Sequence, residues 1–446
     1  MDFFGQFIIE HDSDDVSSLL LKGRAPEGID LHLAAETILA RRTIRGKLPS
    51  WYALPQLLYP AKLSAEQCSS EETAAYKASV VKSVFDNELT KAGEKTDSNR
   101  KEYGAGIIRI ADLTGGLGAD TCAFSRIAEK VLFNEMSESL AEAAKHNFKE
   151  LGISNVSIIS SRVESSESPL VKNGEAVPPK SLLADFAPDL IFLDPARRDG
   201  AGKKVFMLED CSPDILSLKD ELLEISRFVM VKLSPMADIS LAASKLGEHC
   251  REVHVVESAG ECKELLILMD REWEGEYSTT VYSNGSTLSF KPSQEKEAKC
   301  IIAGKEEAES SQWLFEPGKA LMKAGALNLP CALFGTAKAG KSTHLHLFNS
   351  EEEIERMLQF GKVFRIIKME PFNNRSIKEM ASEYAGAGVS ARNLPISSDA
   401  LGEKMKAASG KHSTKAAENI HIFAFKSDLC GNLILAAERL NATRQV

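Results

Sequence analysis

Two short segments carry side chains whose types and spacing suggest chemistry. The first is Asp112-Leu-Thr-Gly-Gly-Leu-Gly-Ala-Asp120, a glycine-rich segment that begins and ends with a carboxylate. The second is Asp194-Pro195-Ala-Arg197, in which a carboxylate precedes a rigid proline and a cation. A carboxylate can orient or deprotonate an amine or hydroxyl group, and a guanidinium can bind a phosphate or carboxylate. The two segments therefore predict a ligand-binding turn and an acceptor-binding strand end.

The glycine-rich segment lies between a predicted strand and a predicted helix. Ile107–Ala111 is a short apolar run typical of a buried parallel strand, and a helical pattern begins at Asp120. Glycines in such a turn let a ligand approach the backbone, close to the unpaired N–H groups of the helix start. Because Asp112 would repel a pyrophosphate, the turn favours S-adenosylmethionine over a dinucleotide. Asp112 would hold the ammonium group of this cofactor through water or the backbone.

The next predicted strands also end in carboxylates. Val131–Phe133 is followed by Glu135, about twenty residues after the glycine turn, where related folds bind ribose hydroxyls. Val156–Ile159 is a third apolar strand, and Asp189–Leu193 is a fourth that ends at Asp194. Ligands bind at the carboxyl ends of strands in open α/β sheets, so these residues are expected at one edge.

In this order, the glycine turn, Glu135 and Asp194-Pro195 resemble a class I S-adenosylmethionine-dependent methyltransferase over residues 105–271. The turn alone is weak evidence, because nicotinamide enzymes share its logic. The whole chain is similar to a bacterial family of methyltransferases with a THUMP-like C-terminal domain, and THUMP domains proper belong to RNA-modifying enzymes. The resemblance implies an α/β fold with a doubly wound Rossmann-like sheet, an N-terminal helical domain and small α+β C-terminal modules.

The resemblance also implies a set of cofactor-binding residues. They are Asp112, Thr114, Gly115, Gly116, Gly118, Asp120, Glu135, Met136, Arg162 and Val163. One position departs from the pattern, because Arg162 stands where many relatives place an acid that binds the adenine amino group. Either Glu164 substitutes for that acid, or backbone atoms around Arg162 and Val163 contact the base.

Asp194, Pro195 and Arg197 are the predicted catalytic residues. The motif resembles the Asp/Asn-Pro-Pro-aromatic set of amino-group methyltransferases, although Ala196 and Arg197 replace the second proline and the aromatic residue. Stacking on a flipped base is therefore not assured. Arg197 and Arg198 would bind a phosphate or carboxylate of the substrate, or Arg197 would form a salt bridge within the loop. No cysteine lies beside Asp194, which disfavours carbon-5 methylation of pyrimidines.

Three further residues are candidates for substrate binding near this edge. Gln67 and Ser69 would line the pocket, or Ser69 would form a capping box with Glu72 at a helix start. Lys232 lies near the end of a predicted fifth strand, Arg227–Leu233, and would either approach the pocket or extend to solvent.

The composition excludes several classes of protein. The formal charge of −10 argues against a protein that coats nucleic acid, but permits RNA binding by one local face. The eight cysteines are scattered without a Cys-x-x-Cys pair, so a structural metal site is not expected and a reduced cytosol is the simplest setting. No signal peptide or apolar run of membrane length is evident. We therefore expect a cytoplasmic protein without a membrane partner; the sequence does not indicate the oligomeric state.

The segment before the catalytic domain divides into two parts. Residues 1–90 predict a helical domain, and residues 91–104 are polar and lack periodicity, which is typical of a linker. The helical part contains the basic run Arg41–Lys47, which is either a phosphate contact or a solvated helix end.

The segment after the catalytic domain predicts a small α+β, ferredoxin-like module at 272–350 and the THUMP-like domain at 351–446. Strands around Asn284-Gly285 predict a hairpin. Gly335–Ser342 matches the spacing of an ATP-binding P-loop, with Pro330–Phe334 as its candidate strand. A P-loop needs a helix next, however, and Thr343–Phe348 alternates like a strand, so we expect no ATP site.

The C-terminal domain has a basic charge on an otherwise acidic chain. Residues 361–446 hold 13 Lys and Arg against 8 Asp and Glu. This excess suits a local RNA contact, since phosphate contacts dominate such affinity, although a solvated surface explains it equally well. The candidate residues are Arg392, Lys404, Lys406, Lys411 and Lys415.

Three functions remain open at this point. The first is a methyltransferase that acts on RNA, tRNA or rRNA, with a base nitrogen oriented by Asp194. The second is a methyltransferase for a protein or small molecule. The third is a non-catalytic RNA-binding protein that retains the cofactor fold.

Overall fold

A computed structural model describes residues 2–23, 26–94, 108–197, 208, 211–409 and 419–440. The predicted linker, Arg198, Lys411 and Lys415 lie outside these residues, apart from 91–94 of the linker. Packing divides the chain into two compact units, Met1–Val253 with Leu265–Gly275, and His254–Glu264 with Glu276–Val446.

The described part of the first unit begins with helices. They are α1 (Phe3–Glu10), α2 (Val16–Lys22), α3 (Leu31–Ile44), α4 (Pro49–Tyr52), α5 (Lys62–Gln67) and α6 (Glu71–Glu94). Aspartates begin three of them, because the carboxylates of Asp2, Asp15 and Asp30 accept hydrogen bonds from N–H groups of the first turn. A helical N-terminal segment was predicted, and the described residues have this structure.

The cap of α6 differs from the prediction. Ser70, not Ser69, caps this helix, since the Ser70 hydroxyl accepts a hydrogen bond from the Thr73 N–H at 3.2 Å. The predicted capping box of Ser69 and Glu72 is therefore wrong. Its failure leaves the Ser69 side chain available for the contacts described below.

An open sheet follows, with strands β1 (Arg109–Asp112), β2 (Lys130–Asn134), β3 (Val156–Ile159), β4 (Leu190–Leu193), β5 (Ala196–Arg197), β6 (Cys211–Ser212), β7 (Phe228–Leu233), β8 (Cys250–Ser258) and β9 (Glu261–Asp270). The order is β8-β9-β7-β4-β1-β2-β3, and β5 pairs with β6 outside this sheet. Strands β7, β4, β1, β2 and β3 are parallel, and β9 is antiparallel to β7. The intervening helices are α7 (Ala119–Ser125), α8 (Glu138–Glu150), α9 (Pro169–Lys172), α10 (Pro179–Leu182), α11 (Ile215–Ile225) and α12 (Ile239–Leu246).

The strand sequences explain this doubly wound arrangement. Every residue of β4 is buried, as expected for a strand covered on both faces. The strand order reverses around β1 and β4, and such a reversal forms a crevice at the carboxyl edge of an open α/β sheet. The predicted fold class is confirmed.

The N-terminal helices share a hydrophobic core with this sheet. Trp51, Leu57 and Tyr59 belong to the same buried cluster as Phe133 of β2 and Phe148 of α8. The helices are thus packed as part of the first unit. The four domain boundaries drawn from the sequence stay predictions.

The basic run Arg41–Lys47 serves the local structure. Arg41 is buried and donates to the carbonyl oxygens of Leu54 and Tyr52. Lys47 donates to carbonyl oxygens at the end of α5, including that of Glu66. Because backbone carbonyls occupy Arg41 and Lys47, phosphate binding does not describe these two cations, whereas Arg42 and Arg45 of the same run are exposed.

The second unit contains a hairpin and a larger sheet. The hairpin strands are β10 (Ser278–Ser283) and β11 (Ser286–Phe290), and the sheet strands are β12 (Trp313–Pro317), β13 (Ala337–Lys338), β14 (His346–Phe348), β15 (Gly361–Pro371), β16 (Gly388–Arg392), β17 (Ile420–Ser427) and β18 (Gly431–Arg439). The sheet order is β13-β14-β12-β15-β18-β17-β16. The helices are α13 (Pro292–Glu297), α14 (Lys305–Ser310), α15 (Lys319–Lys323), α16 (Leu329–Phe334), α17 (Ile354–Phe360), α18 (Asn374–Glu383) and α19 (Ser398–Ser409).

The predicted hairpin at Asn284-Gly285 is confirmed, and the P-loop spacing proves to be coincidental. Asn284 and Gly285 both have positive φ, as a two-residue type I′ turn requires. The candidate P-loop strand is instead helix α16, which ends at the left-handed Gly335. In the described part of the chain, strand β14 rather than a helix is the next element after Ser342, so the loop is not followed by the helix start that a P-loop requires.

Two further observations concern the described residues. Cys300 and Cys331 form a disulfide, and their Cα atoms lie 5.3 Å apart. This pairing differs from the reduced cysteines that the sequence predicted. Within the described ranges, no helix combines the length and apolar character needed to cross a membrane.

Candidate active site

The glycine turn after β1 is shaped by close packing on one side and open space on the other. A Cβ atom on Gly115 would lie 2.1 Å from the Phe133 ring, and one on Gly118 would lie 2.6 Å from Phe148. Gly116 has φ of +55° and no heavy atom within 4 Å of its Cβ position. The outer two glycines therefore allow the turn to pack against the fold, and Gly116 leaves room for a ligand beside the backbone.

Asp112 supports this turn through hydrogen bonds. Its carboxylate accepts hydrogen bonds from the Thr121 hydroxyl at 2.6 Å and from the Thr114 N–H at 3.1 Å. The side chain is buried, and burial raises the pKa of Asp112 to about 7, while the Thr121 hydrogen bond opposes that increase. The buried carboxylate is therefore not available for direct contact with a ligand. Asp112 supports the turn, consistent with the prediction that it acts through water or the backbone.

Glu135 follows β2 and reaches the glycine turn. Its carboxylate accepts hydrogen bonds from the N–H groups of Gly116 and Ser137, both at 2.9 Å. The side chain of the next residue, Met136, is 68% exposed. A carboxylate that remains half-buried beside an open glycine can still accept hydrogen bonds from hydroxyl groups.

The segment after β3 resolves part of the question about Arg162. Its Nε lies 3.3 Å from an oxygen of Glu164, which is buried. Val163 is also buried and forms a β-bridge with Val177. Glu164, the alternative acid, is thus paired with Arg162, and the role of this segment in binding adenine stays a prediction.

Asp194 meets the glycine turn and a lysine. Its backbone N–H donates to the Thr114 hydroxyl, so the ends of β4 and β1 are directly connected. Its carboxylate lies 2.6 Å from the Lys232 Nζ at the end of β7. Of the two side chains, Asp194 is 35% exposed and Lys232 is 12% exposed. Lys232 therefore approaches the site instead of extending to solvent.

Behind Lys232 lies a buried cluster that the sequence analysis only partly identified. The Ser69 hydroxyl donates to Asp120 at 2.8 Å and accepts a hydrogen bond from Lys77 at 3.1 Å. Lys77 is fully buried and also lies 3.1 Å from Asp120. Lys232 is 3.4 Å from the Ser69 hydroxyl. Lys77 was missed, although a lysine flanked by apolar residues in a helix was the available signal.

Burial and ion pairing act oppositely on Asp120. Burial alone would raise the pKa of its carboxyl group, but Lys77 and then Lys232 outweigh burial, so the pKa lies below its ordinary value. Asp120 is therefore an ionised group enclosed by protein. It was predicted to bind the cofactor, whereas its described partners are Ser69 and Lys77.

The other predicted residues are placed as follows. Gln67 is exposed at the end of α5, and Pro195 is half-buried after Asp194. Arg197 belongs to β5, and Arg198 lies outside the described residues. In the second unit, Arg392 pairs with Glu316 at 3.0 Å and Lys404 donates to Asn374 at 2.7 Å. No contact brings these two cations together.

Comparisons with known proteins support the fold. A family model described as a ferredoxin-like domain matches residues 313–357. The crystal structure of a "putative methyltransferase" from Porphyromonas gingivalis W83 covers 98% of this chain and 98% of its own, with 24% identity and a TM-score of 0.75. No curated protein gives a significant match. The chain therefore shares the fold of the Porphyromonas gingivalis protein, and part of its second unit is similar to a ferredoxin-like domain.

Two other solved structures are similar to smaller parts of the chain. An rRNA methylase from Streptococcus thermophilus covers 37% of this chain and 87% of its own, with 11% identity and a TM-score of 0.26. A "putative methyltransferase" from Streptococcus mutans, in complex with SAH, covers 36% and 88%, with 16% identity and a TM-score of 0.24.

Proposed function

We propose that this protein is an S-adenosylmethionine-dependent methyltransferase. One observation carries the proposal, namely the hydrogen bond between Thr114 in the glycine turn and the backbone of Asp194. It joins a turn suited to the cofactor with a carboxylate suited to an acceptor. The shared fold with the Porphyromonas gingivalis protein is consistent with this function.

The residues of the turn fit the cofactor. The open side of Gly116 allows close approach, and Glu135 is positioned to accept hydrogen bonds from ribose hydroxyls. Met136 offers an exposed apolar surface for the adenine ring. S-adenosylmethionine, when bound, supplies an activated methyl group.

Asp194 and Lys232 are the proposed acceptor site. Methyl transfer requires an acceptor lone pair held in line with the methyl group. Asp194 would accept a hydrogen bond from the acceptor N–H and orient its lone pair. It would take up that proton when the methyl group moves from sulfur to nitrogen, so that the S–C bond breaks as the N–C bond forms. Lys232 holds the Asp194 carboxylate in a fixed direction, and Arg197 contacts a phosphate or carboxylate of the substrate.

The proposed acceptor is a base nitrogen in RNA, either tRNA or rRNA. The basic charge of residues 361–446 and their THUMP-like resemblance support an RNA contact in the second unit. Lys404 and Lys406 are exposed and suit such a contact, whereas Arg392 is engaged by Glu316. We place the protein's action in the cytoplasm, as this substrate implies.

Methyl transfer from labelled S-adenosylmethionine to total RNA tests the proposal. RNA from cells that lack the protein is incubated with wild type or Asp194→Asn, digested, and its nucleosides are separated by mass spectrometry. We expect one labelled nucleoside with wild type and a loss of roughly a hundredfold or more in the variant. Cofactor binding with labelled protein but unlabelled RNA would support a protein substrate instead. Cofactor binding without methyl transfer to RNA or protein would support a non-catalytic RNA-binding protein.

A further inference from the structure

Lys77 occupies an unusual position for a lysine. Its side chain is fully buried in α6, yet it contacts the candidate active site through Asp120 and Ser69. Such a lysine is costly to bury unless its charge is paired. Its partner Asp120 stands in the first turn of α7, directly after the glycine turn.

The cluster holds two lysines and two neighbouring carboxylates. Lys77 pairs with Asp120 at 3.1 Å, and Lys232 pairs with Asp194 at 2.6 Å. The Ser69 hydroxyl lies between the two pairs, 3.1 Å from Lys77 and 3.4 Å from Lys232. Lys232 is also close enough to Asp120 to lower the pKa of its carboxyl group, so a second pairing of Lys232 is within reach.

We infer that Lys77 is a positioning residue that occupies Asp120 and thereby leaves Lys232 to pair with Asp194. Without Lys77, Asp120 would be a buried carboxylate with one fewer cation beside it. Because an uncompensated buried charge is strongly unfavourable, Lys232 would turn toward Asp120 and leave Asp194. The N-terminal helices would thus control the acceptor site through one side chain.

The pairing does not depend on the proposed function, whereas its effect on catalysis rests on that function. Lys77 would not contact the substrate. It would set the direction of the Asp194 carboxylate, which the proposed reaction uses to orient the acceptor. A displacement of this kind can cost a large factor in rate without loss of cofactor binding.

Crystal structures of Lys77→Met and of Lys77→Met with Asp120→Asn test the pairing directly. In the single variant we expect Lys232 Nζ to leave Asp194 and contact Asp120. In the double variant the competing carboxylate is gone, so Lys232 should return to Asp194. A folded Lys77→Met protein in which Lys232 still contacts Asp194 would overturn the inference, whether or not the protein is a methyltransferase.

Methyl transfer to RNA provides the second readout. We expect Lys77→Met to lower kcat by roughly ten- to a hundredfold with a similar KM for S-adenosylmethionine. The double variant and Lys77→Arg should recover much of this loss. Lys82→Met, an exposed lysine of the same helix, is the matched control and should match wild type.

Folding of the variants is checked by circular dichroism and thermal melting. Lys77→Gln, which keeps a donor for Ser69 but no charge, should show the same movement of Lys232 if Lys77→Met does not fold. Failure of both variants to fold would show that Lys77 serves stability alone, and the inference would be rejected.

Discussion

Asp112 is deeply buried and accepts two hydrogen bonds. Burial raises the pKa of its carboxyl group, and the hydrogen bonds from Thr121 and Thr114 lower it. Because its pKa is raised to about 7 in the folded protein, it retains a proton there that the unfolded chain releases above about pH 4. Its contribution to stability is therefore complete at low pH and is lost as pH rises toward 7.

We predict that Asp112→Asn becomes more stable relative to wild type as pH rises from 5 to 7. The gain should approach roughly 1.4 kcal/mol per pH unit and level off above pH 7. Urea unfolding at several pH values measures it. Thr121→Val lacks the hydroxyl group that favours the charged form of Asp112. We therefore expect the free energy of unfolding of this variant to keep falling up to a higher pH than that of wild type. A constant difference between Asp112→Asn and wild type would contradict the prediction.

Residue roles were only partly predictable from sequence. Asp112 ends a strand, Glu135 and Asp194 each follow one directly, and strand ends could be located from apolar runs. The contact of Lys77 with Asp120 could not be predicted from the sequence, because it depends on how α6 packs against α7. The same packing decided that Ser69 joins a buried cluster while Ser70 caps the helix.

At the scale of elements, the close approach of β1, β2 and α8 depends on glycine. We predict that Gly115→Ala lowers the free energy of unfolding by about 1–3 kcal/mol or more, because its Cβ would overlap the Phe133 ring. Gly46→Ala meets open space and should be neutral or slightly stabilising. Thermal melting compares them. Phe133→Leu should partly rescue Gly115→Ala, and equal melting of the two alanine variants would refute this packing account.

A buried ion network connects α6 to the other end of the sheet. Arg227 lies 2.8 Å from both Glu88 of α6 and Asp270 of β9, and Arg251 of β8 lies 3.1 Å from Asp270. Burial would raise the pKa of Asp270, but the hydrogen bond and charge of Arg227 outweigh burial and lower it. The network therefore joins the helix to three strand ends.

Removal of one member should be costly. We predict that Arg227→Met reduces the free energy of unfolding by about 3–5 kcal/mol, because it leaves Glu88 and Asp270 with fewer cations. The comparison variant is Arg375→Met, which removes an exposed pair with Glu379 and should cause no measurable change. Chemical denaturation of both variants checks this, and similar midpoints would count against the network.

Element types were largely predictable, and element packing was not. The apolar runs of β3 and β4, and the Asn-Gly turn between β10 and β11, carry local signals that tertiary contacts did not override. The segment Pro330–Phe334 was a candidate strand because of its apolar composition, yet it belongs to helix α16. A short apolar run does not distinguish a buried strand from a short helix.

At the scale of the whole molecule, we expect the proposed RNA binding to be sensitive to salt, because residues 361–446 are basic on an otherwise acidic chain. We predict that the double variant Lys404→Glu, Lys406→Glu binds RNA more weakly and with a shallower dependence of log affinity on log salt. Each lost phosphate contact should reduce the slope by about 0.7 for single strands. Lys82→Glu, which changes an exposed lysine of the first unit, is the control. Unchanged RNA affinity in the double variant would show that Lys404 and Lys406 do not contact RNA.

The central claim is that the glycine turn binds S-adenosylmethionine, and calorimetric titration tests it most directly. Wild type, Glu135→Ala and Asp194→Asn are titrated with S-adenosylmethionine, and wild type is also titrated with ATP. We predict micromolar binding of S-adenosylmethionine to wild type, weaker binding to Glu135→Ala and near-normal binding to Asp194→Asn. We predict no binding of ATP to wild type. A folded wild type that binds ATP but not S-adenosylmethionine would contradict it.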